Sequence, residues 1–197
     1  MLVVDAGLSS PAHRFARGGS MGGVRIGRAI TDRPDRFAAA DLYVGVVDPL
    51  RLLAAKNGPI QIPEVGDPET EADFQALAAM DPYQHVVAAA YPATMFSIGL
   101  NDARVSPWMS GKMAARMQAL TTSGRPVLIR VDGDAGHGPG SLRDQTFTAT
   151  ADEWSFFPAA SGAPASSRGD PGAEPACGSS GRRCFRPPRA VACGALR

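Results

Sequence analysis

Residues 18–23 read GGSMGG, with four glycines around the single serine Ser20. Glycines two positions before and two positions after a serine let a strand and the following helix approach closely, because neither glycine has a Cβ. The serine hydroxyl then stands clear of the backbone, beside the positive end of the helix. The hexapeptide therefore predicts a strand, a sharp turn and a helix. Since the chain has 22 glycines, the pattern gains its weight from the residues that follow.

A nucleophilic serine needs a general base and a third group that orients the base. Two apolar, strand-like segments downstream, residues 93–99 and 126–131, each end in a loop that offers a candidate. Asp102 follows the first segment and His137 follows the second, in a chain with only 3 histidines. Hydrolytic triads on open α/β sheets have this chain order, with each residue in a loop after a strand. We therefore predict Ser20, Asp102 and His137 as catalytic candidates.

The remaining patterns predict an alternating α/β layout. The strands are expected at about residues 13–18, 42–47, 93–99 and 126–131. The helices are expected from Ser20 to about Asp32 and over residues 69–79, 107–121 and 142–157, with a proline-rich loop at 57–68. One face of the 107–121 helix carries Met109, Met113, Ala114 and Met117. We interpret this face as core packing rather than as a binding surface.

Six ordered stretches make the chain resemble the catalytic α/β-hydrolase domain of the prolyl oligopeptidase family of serine peptidases. They are residues 18–23, 33–40, 44–48, 91–94, 101–105 and 135–138. The resemblance implies a partial α/β-hydrolase fold over residues 1–157, with a mostly parallel sheet and flanking helices. It also implies hydrolysis of short peptides through an acyl-enzyme, without a metal or organic cofactor.

The resemblance implies that Ser20 is the nucleophile, that His137 is the general base and that Asp102 orients His137. The backbone N–H of Met21 would form half of the oxyanion hole. Each triad residue also has a structural interpretation. Ser20 is a plausible helix N-cap, Asp102 is a plausible turn residue or cap for the next helix, and His137 is a plausible loop residue between glycines.

Three further residues are assigned to substrate binding by the same resemblance. Arg104 matches the arginine that holds a substrate carbonyl, and Val46 and Val105 match positions that line the pocket for the P1 side chain. The alternatives are a solvated or structural charge for Arg104 and plain core packing for the two valines. Residues 57–66 contain no aromatic residue where the archetypal enzymes place a proline-stacking tryptophan. Strict proline specificity is therefore not implied.

Family members are far longer than this chain, and only about 19 residues precede Ser20 here. The tyrosine that supplies the family's other oxyanion donor has no counterpart, since none of the 3 tyrosines precedes Ser20. We therefore expect an N-terminally truncated domain whose first strand exposes a sheet edge, with self-association through that edge. An inactive fragment and a non-peptidase α/β-hydrolase, such as an esterase, are the alternative functions.

Residues 158–197 differ from the rest of the chain in composition. They are dominated by Ala, Gly, Pro, Ser and Arg, and we predict a disordered, low-complexity tail. A frameshift is an alternative origin for this abrupt change in composition. The tail holds all 3 cysteines, at spacings that match no zinc template.

The composition of the whole chain bears on its partners and its compartment. The net charge of +1 indicates no nucleic-acid partner. No apolar run approaches the roughly 18 residues that a membrane span needs, and no signal peptide is visible. The default expectation is therefore a cytoplasmic protein, with the compartment of the parent protein unknown.

Overall fold

The computed structural model of the chain describes residues 6–138 and 143–161, which form a parallel β-sheet with helices on both faces. The strands are β1 (Phe15–Gly19), β2 (Ala39–Tyr43), β3 (Ala93–Gly99) and β4 (Val127–Asp132), in the spatial order β1-β2-β3-β4. The helices are α1 (Gly22–Asp32), α2 (Gly58–Val65), α3 (Glu71–Met80), α4 (Pro107–Leu120) and α5 (Arg143–Ala160). This architecture confirms the predicted α/β class with a parallel sheet.

The larger part of the hydrophobic core lies between the sheet and helices α1 and α4. Leu42 of β2 and Phe96 of β3 are fully buried against this layer. Helix α1 contributes Ile30, and α4 contributes the predicted face of Met109, Met113, Ala114 and Met117, all of them fully buried. Burying one such side chain stabilises a fold by about 1.5–3 kcal/mol. The Met face of α4 is therefore core packing, as the sequence predicted.

Helix α5 packs on the opposite face of the sheet. Its Phe156 and Phe157 form a second cluster with Ala39, Ala93 and Met95. The helix continues to Ala160, three residues beyond the end expected from the sequence. None of the helices among residues 6–138 and 143–161 is long and apolar enough to cross a membrane. The predictions for residues 162–197, including the three cysteines, lie outside the described residues.

Strand β2 is shifted toward the N-terminus from the prediction, since it spans Ala39–Tyr43 rather than residues 42–47. The strand ends because Val44 has a positive φ of 40°, which turns the chain away from the sheet. The Val46 amide then donates a hydrogen bond to the Ser20 carbonyl over 2.9 Å. The apolar run after Tyr43 is thus a buried loop, which periodicity alone does not distinguish from a strand.

The proline-rich segment predicted as a loop contains helix α2, and this part of the prediction is wrong. Pro59 stands in the first turn of the helix, where its fixed φ and missing N–H are tolerated. Gly66 ends the helix with a φ of 101°, and its N–H donates to the Ile62 carbonyl over 2.9 Å. A proline at the start and a glycine just past the end are the usual signals for a short helix.

An ion cluster of two buried carboxylates and one half-exposed guanidinium joins β1, β2 and α5. Arg17 donates from Nε to Asp41 Oδ2 over 3.0 Å and from Nη2 to Glu153 Oε2 over 2.6 Å. The Asp41 side chain is fully buried, and the Ser97 hydroxyl donates to its other oxygen over 3.4 Å. Burial, reinforced by the negative charge of Glu153, raises the pKa of Asp41 to about 6 although Arg17 opposes the shift. The cluster holds two carboxylates and one guanidinium, so a proton on Asp41 balances its charge.

We predict that the free energy of unfolding decreases as the pH rises from about 4 to about 6. The folded-state pKa of Asp41 lies above its ordinary value of 3.8. Its contribution is therefore fully present below that value and is lost as the pH rises through about 6. A shift of this size corresponds to about 3 kcal/mol. Denaturant unfolding across this pH range measures the slope.

Asp41→Asn is the variant that isolates this contribution, and its stability profile should be flatter than that of the wild type. Some slope should remain, because burial also raises the pKa of Asp81 to about 6. Identical profiles for the variant and the wild type would show that Asp41 does not titrate in this range.

Candidate active site

Ser20 occupies a strained turn between β1 and α1. Its φ is 52°, in the left-handed region that a non-glycine residue adopts at a cost of about 1–3 kcal/mol. Three backbone hydrogen bonds hold this conformation. The Ser20 N–H donates to Tyr43 over 3.2 Å, and the Ser20 carbonyl accepts from Gly23 and Val46, both over 2.9 Å. The core loop after β2 therefore fixes the position of the serine.

Gly18 is required by the close approach of β1 and α1. A Cβ at this position would lie 2.6 Å from Ile26 Cγ1 and would also collide with the Gly22 carbonyl. Strand and helix meet here without room for a side chain, as the glycine pattern predicts.

Asp102 lies in the loop after β3 and is buried. Its Oδ1 accepts hydrogen bonds from the backbone N–H groups of Arg104, over 2.8 Å, and Val105, over 2.9 Å. Its Oδ2 lies 2.8 Å from Nδ1 of His137. The residue therefore organises its own turn with one oxygen and meets the histidine with the other, so both interpretations of Asp102 describe part of its contacts.

His137 lies in the loop after β4, between Asp102 and Ser20. Its Nε2 lies 3.1 Å from Ser20 Oγ, and its side chain is 14% exposed. A carboxylate accepts hydrogen bonds and does not donate them, so the Asp102 contact favours the tautomer with the proton on Nδ1. Nε2 of the neutral ring is then an acceptor that faces the serine hydroxyl. The three predicted side chains are thus brought together in one hydrogen-bonded line.

The acid loop and the histidine loop are tied to each other through Asn101. Its backbone N–H donates to the Ala135 carbonyl over 3.0 Å, and its side-chain amide donates to the Gly133 carbonyl over 2.9 Å. Gly99 lies just before this junction, and a Cβ there would lie 2.5 Å from the Ala135 carbonyl oxygen. Asn101 and Gly99 therefore set the separation between Asp102 and His137.

A cavity of about 200 Å³ opens beside Ser20. Ser20, Met21, Arg104 and Val105 line it, while Val46 does not. Val46 lies in the hydrophobic core and is only 1% exposed, which agrees with the alternative of core packing for this residue.

Four lining residues were not recognised from the sequence, namely Asn57, Ile60, Gln61 and Glu64. All belong to the start or the body of α2, the helix that was predicted as a loop. Asn57 and Gln61 donate side-chain hydrogen bonds to the carbonyls of Ala103 and Arg104, which fastens α2 to the acid loop. The Pro59 and Gly66 signals would have revealed the helix, and with it this wall of the cavity.

The chain belongs to the prolyl oligopeptidase family, whose family model matches residues 2–163. A prolyl endopeptidase of Elizabethkingia miricola is 36% identical over 152 residues, which are 76% of this chain and 22% of that protein. The dipeptidyl aminopeptidase BI of Pseudoxanthomonas mexicana is 29% identical over 79% of this chain and 22% of its own length. The chain therefore spans about a fifth of the length of these relatives.

Solved structures give the same family and fold. Oligopeptidase B from Leishmania major superposes with a TM-score of 0.79 at 25% identity, over 82% of this chain and 23% of that chain. Prolyl oligopeptidase B from Galerina marginata superposes with a TM-score of 0.71 at 30% identity, over 77% of this chain and 22% of that chain. The four-stranded sheet is therefore part of an α/β-hydrolase fold.

We predict that Gly99→Ala displaces His137, because the added Cβ meets the backbone of the histidine loop. Overpacking of this kind costs about 1–3 kcal/mol. Imidazole ¹⁵N NMR measures the change, since the chain has only 3 histidines and the His137 signals are assigned with His137→Ala.

Gly133→Ala is the matched control, because a Cβ at Gly133 meets nothing within 4 Å. The His137 signals should move in Gly99→Ala and stay in place in Gly133→Ala. Unchanged signals in both variants would show that the contact at Gly99 does not position the histidine.

Proposed function

We propose that this chain carries the catalytic site of a serine peptidase that hydrolyses short peptides through an acyl-enzyme. The observation that supports the proposal is the hydrogen-bonded line from Asp102 through His137 to Ser20 Oγ, at 2.8 Å and 3.1 Å. Family membership supports the same reaction class, since matched relatives are named as prolyl endopeptidases and oligopeptidases.

The reaction proceeds in two displacements at Ser20. His137 Nε2 takes the hydroxyl proton as Oγ attacks the scissile carbonyl carbon, and Asp102 stabilises the imidazolium. His137 then gives the proton to the leaving amine, and the C–N bond breaks to leave an ester on Ser20. Water then attacks the ester carbonyl as His137 takes its proton, and His137 returns that proton to Ser20 Oγ as the Oγ–acyl bond breaks and the acid leaves.

In this proposal, backbone groups at the start of α1 stabilise the oxyanion. The backbone N–H of Met21, directly after Ser20, is the donor that the sequence pattern assigns to the developing negative charge. The positive end of the α1 helix dipole lies on the same side. One such donor contributes about 10²–10³ in rate.

Substrate binding is assigned to the cavity beside Ser20. Arg104 would hold a substrate carbonyl, and Val105, Met21 and Ile60 would contact the side chain of the residue that contributes the scissile carbonyl. The small volume of about 200 Å³ favours one side chain of moderate size. The alternative is an esterase with the same triad, because the cavity would accommodate the acyl group of an ester equally well.

We predict that a fluorophosphonate probe labels the wild-type chain and not Ser20→Ala. Asp102→Asn should label about 10⁴-fold more slowly, because the wrong imidazole tautomer faces the serine. His137→Ala should lose labelling to a similar or greater extent. His13→Ala is the matched control and should label at the wild-type rate, since His13 is exposed and its ring bonds the Ser10 hydroxyl.

Turnover of matched substrates separates the peptidase from the esterase. Peptide amide cleavage that is lost with Ser20→Ala supports the peptidase, whereas cleavage of p-nitrophenyl esters alone supports the esterase. A folded wild-type chain that reacts with neither probe nor substrate would contradict catalysis and leave the inactive fragment as the explanation.

Self-association through the outer edge of β1 is a second part of the proposal. Within residues 6–138 and 143–161, β1 pairs only with β2. The Arg14 carbonyl and the Ser20 N–H both form hydrogen bonds with the β2 side. Because successive residues of a strand direct their backbone groups to opposite sides, those of Phe15, Arg17 and Gly19 face away from β2. Phe15 is 39% exposed beside this edge. An open edge of this kind is a template for pairing with another strand.

We predict that the chain forms concentration-dependent dimers that Phe15→Lys weakens at least tenfold, because a charge at an edge strand opposes strand pairing. Sedimentation equilibrium measures the dissociation constant. Phe147→Lys on α5 removes another exposed aromatic ring, which lies on a helix and not on the edge strand, and should leave the constant unchanged. A wild-type chain that stays monomeric at all concentrations would contradict the proposal.

A further inference from the structure

A second groove of about 400 Å³ adjoins the cavity beside Ser20. The two share Met21 and Glu64, so these residues form the junction between them. Beyond the junction, Val24, Val65 and Met80 give the groove an apolar lining, and Arg25 adds a guanidinium. The groove is therefore an apolar channel with a carboxylate where it meets the Ser20 cavity and a cation on its own wall.

Arg25 lies on α1, beside the apolar lining of the groove. The side chain is exposed and makes no hydrogen bond or ion pair with any residue in the described part of the chain. Arg28, three residues further along, instead donates to the Ala79 carbonyl and to the Thr31 hydroxyl. Arg25 is thus a free guanidinium beside apolar surface, which suits a ligand that carries both an aliphatic part and an anion.

We propose that this groove binds an aliphatic carboxylate. The hydrocarbon chain would lie on Val24, Val65 and Met80, and the carboxylate would pair with Arg25 through two parallel N–H···O hydrogen bonds. Glu64 would fix the orientation of the ligand, because its negative charge at the junction repels the ligand's carboxylate. The anion is therefore directed to Arg25 and away from Ser20.

In a peptide substrate, an aliphatic carboxylate has two sources. The assignment of the groove to either source rests on the proposed peptidase function. One is the C-terminal carboxylate of a short leaving segment that ends in an apolar residue. The other is an acidic side chain on the residue that contributes the scissile carbonyl. Both place an aliphatic chain in the groove and a carboxylate at Arg25.

The test uses the full chain and hexanoate as the probe, with hexanamide as its neutral analogue. Methionine methyl ¹³C NMR reports on the site, because Met21 and Met80 line the groove while Met109, Met113 and Met117 lie in the core. Hexanoate should move the Met21 and Met80 signals in a saturable way and leave the three core signals in place. Hexanamide should bind at least tenfold more weakly.

Substitution of Arg25 separates charge recognition from apolar binding. Arg25→Gln should weaken hexanoate at least tenfold and leave hexanamide unchanged, and Arg25→Lys should restore part of the affinity. Arg33→Gln, at the end of α1, removes an arginine that pairs with Asp35 and should leave hexanoate binding unchanged. Absent Met21 and Met80 shifts, equal binding of hexanoate and hexanamide, or full affinity in Arg25→Gln would each overturn the proposal.

Substrate arms identify the source of the carboxylate. A preference for a peptide acid over its C-terminal amide assigns the groove to the leaving segment. A preference for Glu over Gln before the scissile bond assigns it to the acyl side, and Arg25→Gln should abolish whichever preference is found. The hexanoate titration needs no turnover and is repeated in Ser20→Ala. An inactive chain that still binds hexanoate would therefore refute the proposed function and not the groove.

Discussion

Parallel pairing of the four strands is the constraint on which the rest of the structure depends. Strands that run in the same direction bring all their carboxyl ends to one edge of the sheet, so the loops after β1, β3 and β4 meet there. Ser20, Asp102 and His137 each lie in one of these loops, 82 residues or fewer from the next along the chain. The loop after β2 supplies the support, because the Val46 amide bonds the strained Ser20 backbone. A change of strand order would separate the three side chains without altering any of them.

The two faces of the sheet have different chemistry, and this difference explains where the structure is sensitive. The face under α1 and α4 is apolar and holds the serine turn through close packing at Gly18. The face under α5 contains Asp41 and Glu153 with only Arg17 between them. Buried carboxylates in that ratio favour a protonated Asp41, so the α5 face is most stable under mildly acid conditions. Ser20, Asp102 and His137 lie at the carboxyl ends of the strands, apart from this cluster.

The sequence predicts which loops bring Ser20, Asp102 and His137 together, because each loop follows local rules. A glycine-flanked serine and polar residues after apolar strands are visible in the chain, and β3 has the predicted bounds of 93–99. The substrate wall was missed for a physical reason. Helix α2 is short and contains Pro63, and its residues lack a regular apolar face, so it has the composition of a loop. Val46 was assigned to the pocket from resemblance, whereas the positive φ of Val44 directs it into the core.

The visible and hidden parts of the site have different tasks. In the proposed function, acyl transfer needs a nucleophile, a base and an oxyanion donor, and these roles are assigned to the strand-end loops and the start of α1. The proposed discrimination among substrates depends on charge in the cleft, where Glu64 on α2 lies between the Ser20 cavity and the groove that holds Arg25. Charges of alternating sign along a cleft fix the polarity of a bound peptide, because a reversed ligand meets repulsion at each end. In the proposed function, the short helix α2 therefore contributes the charge that discriminates among substrates.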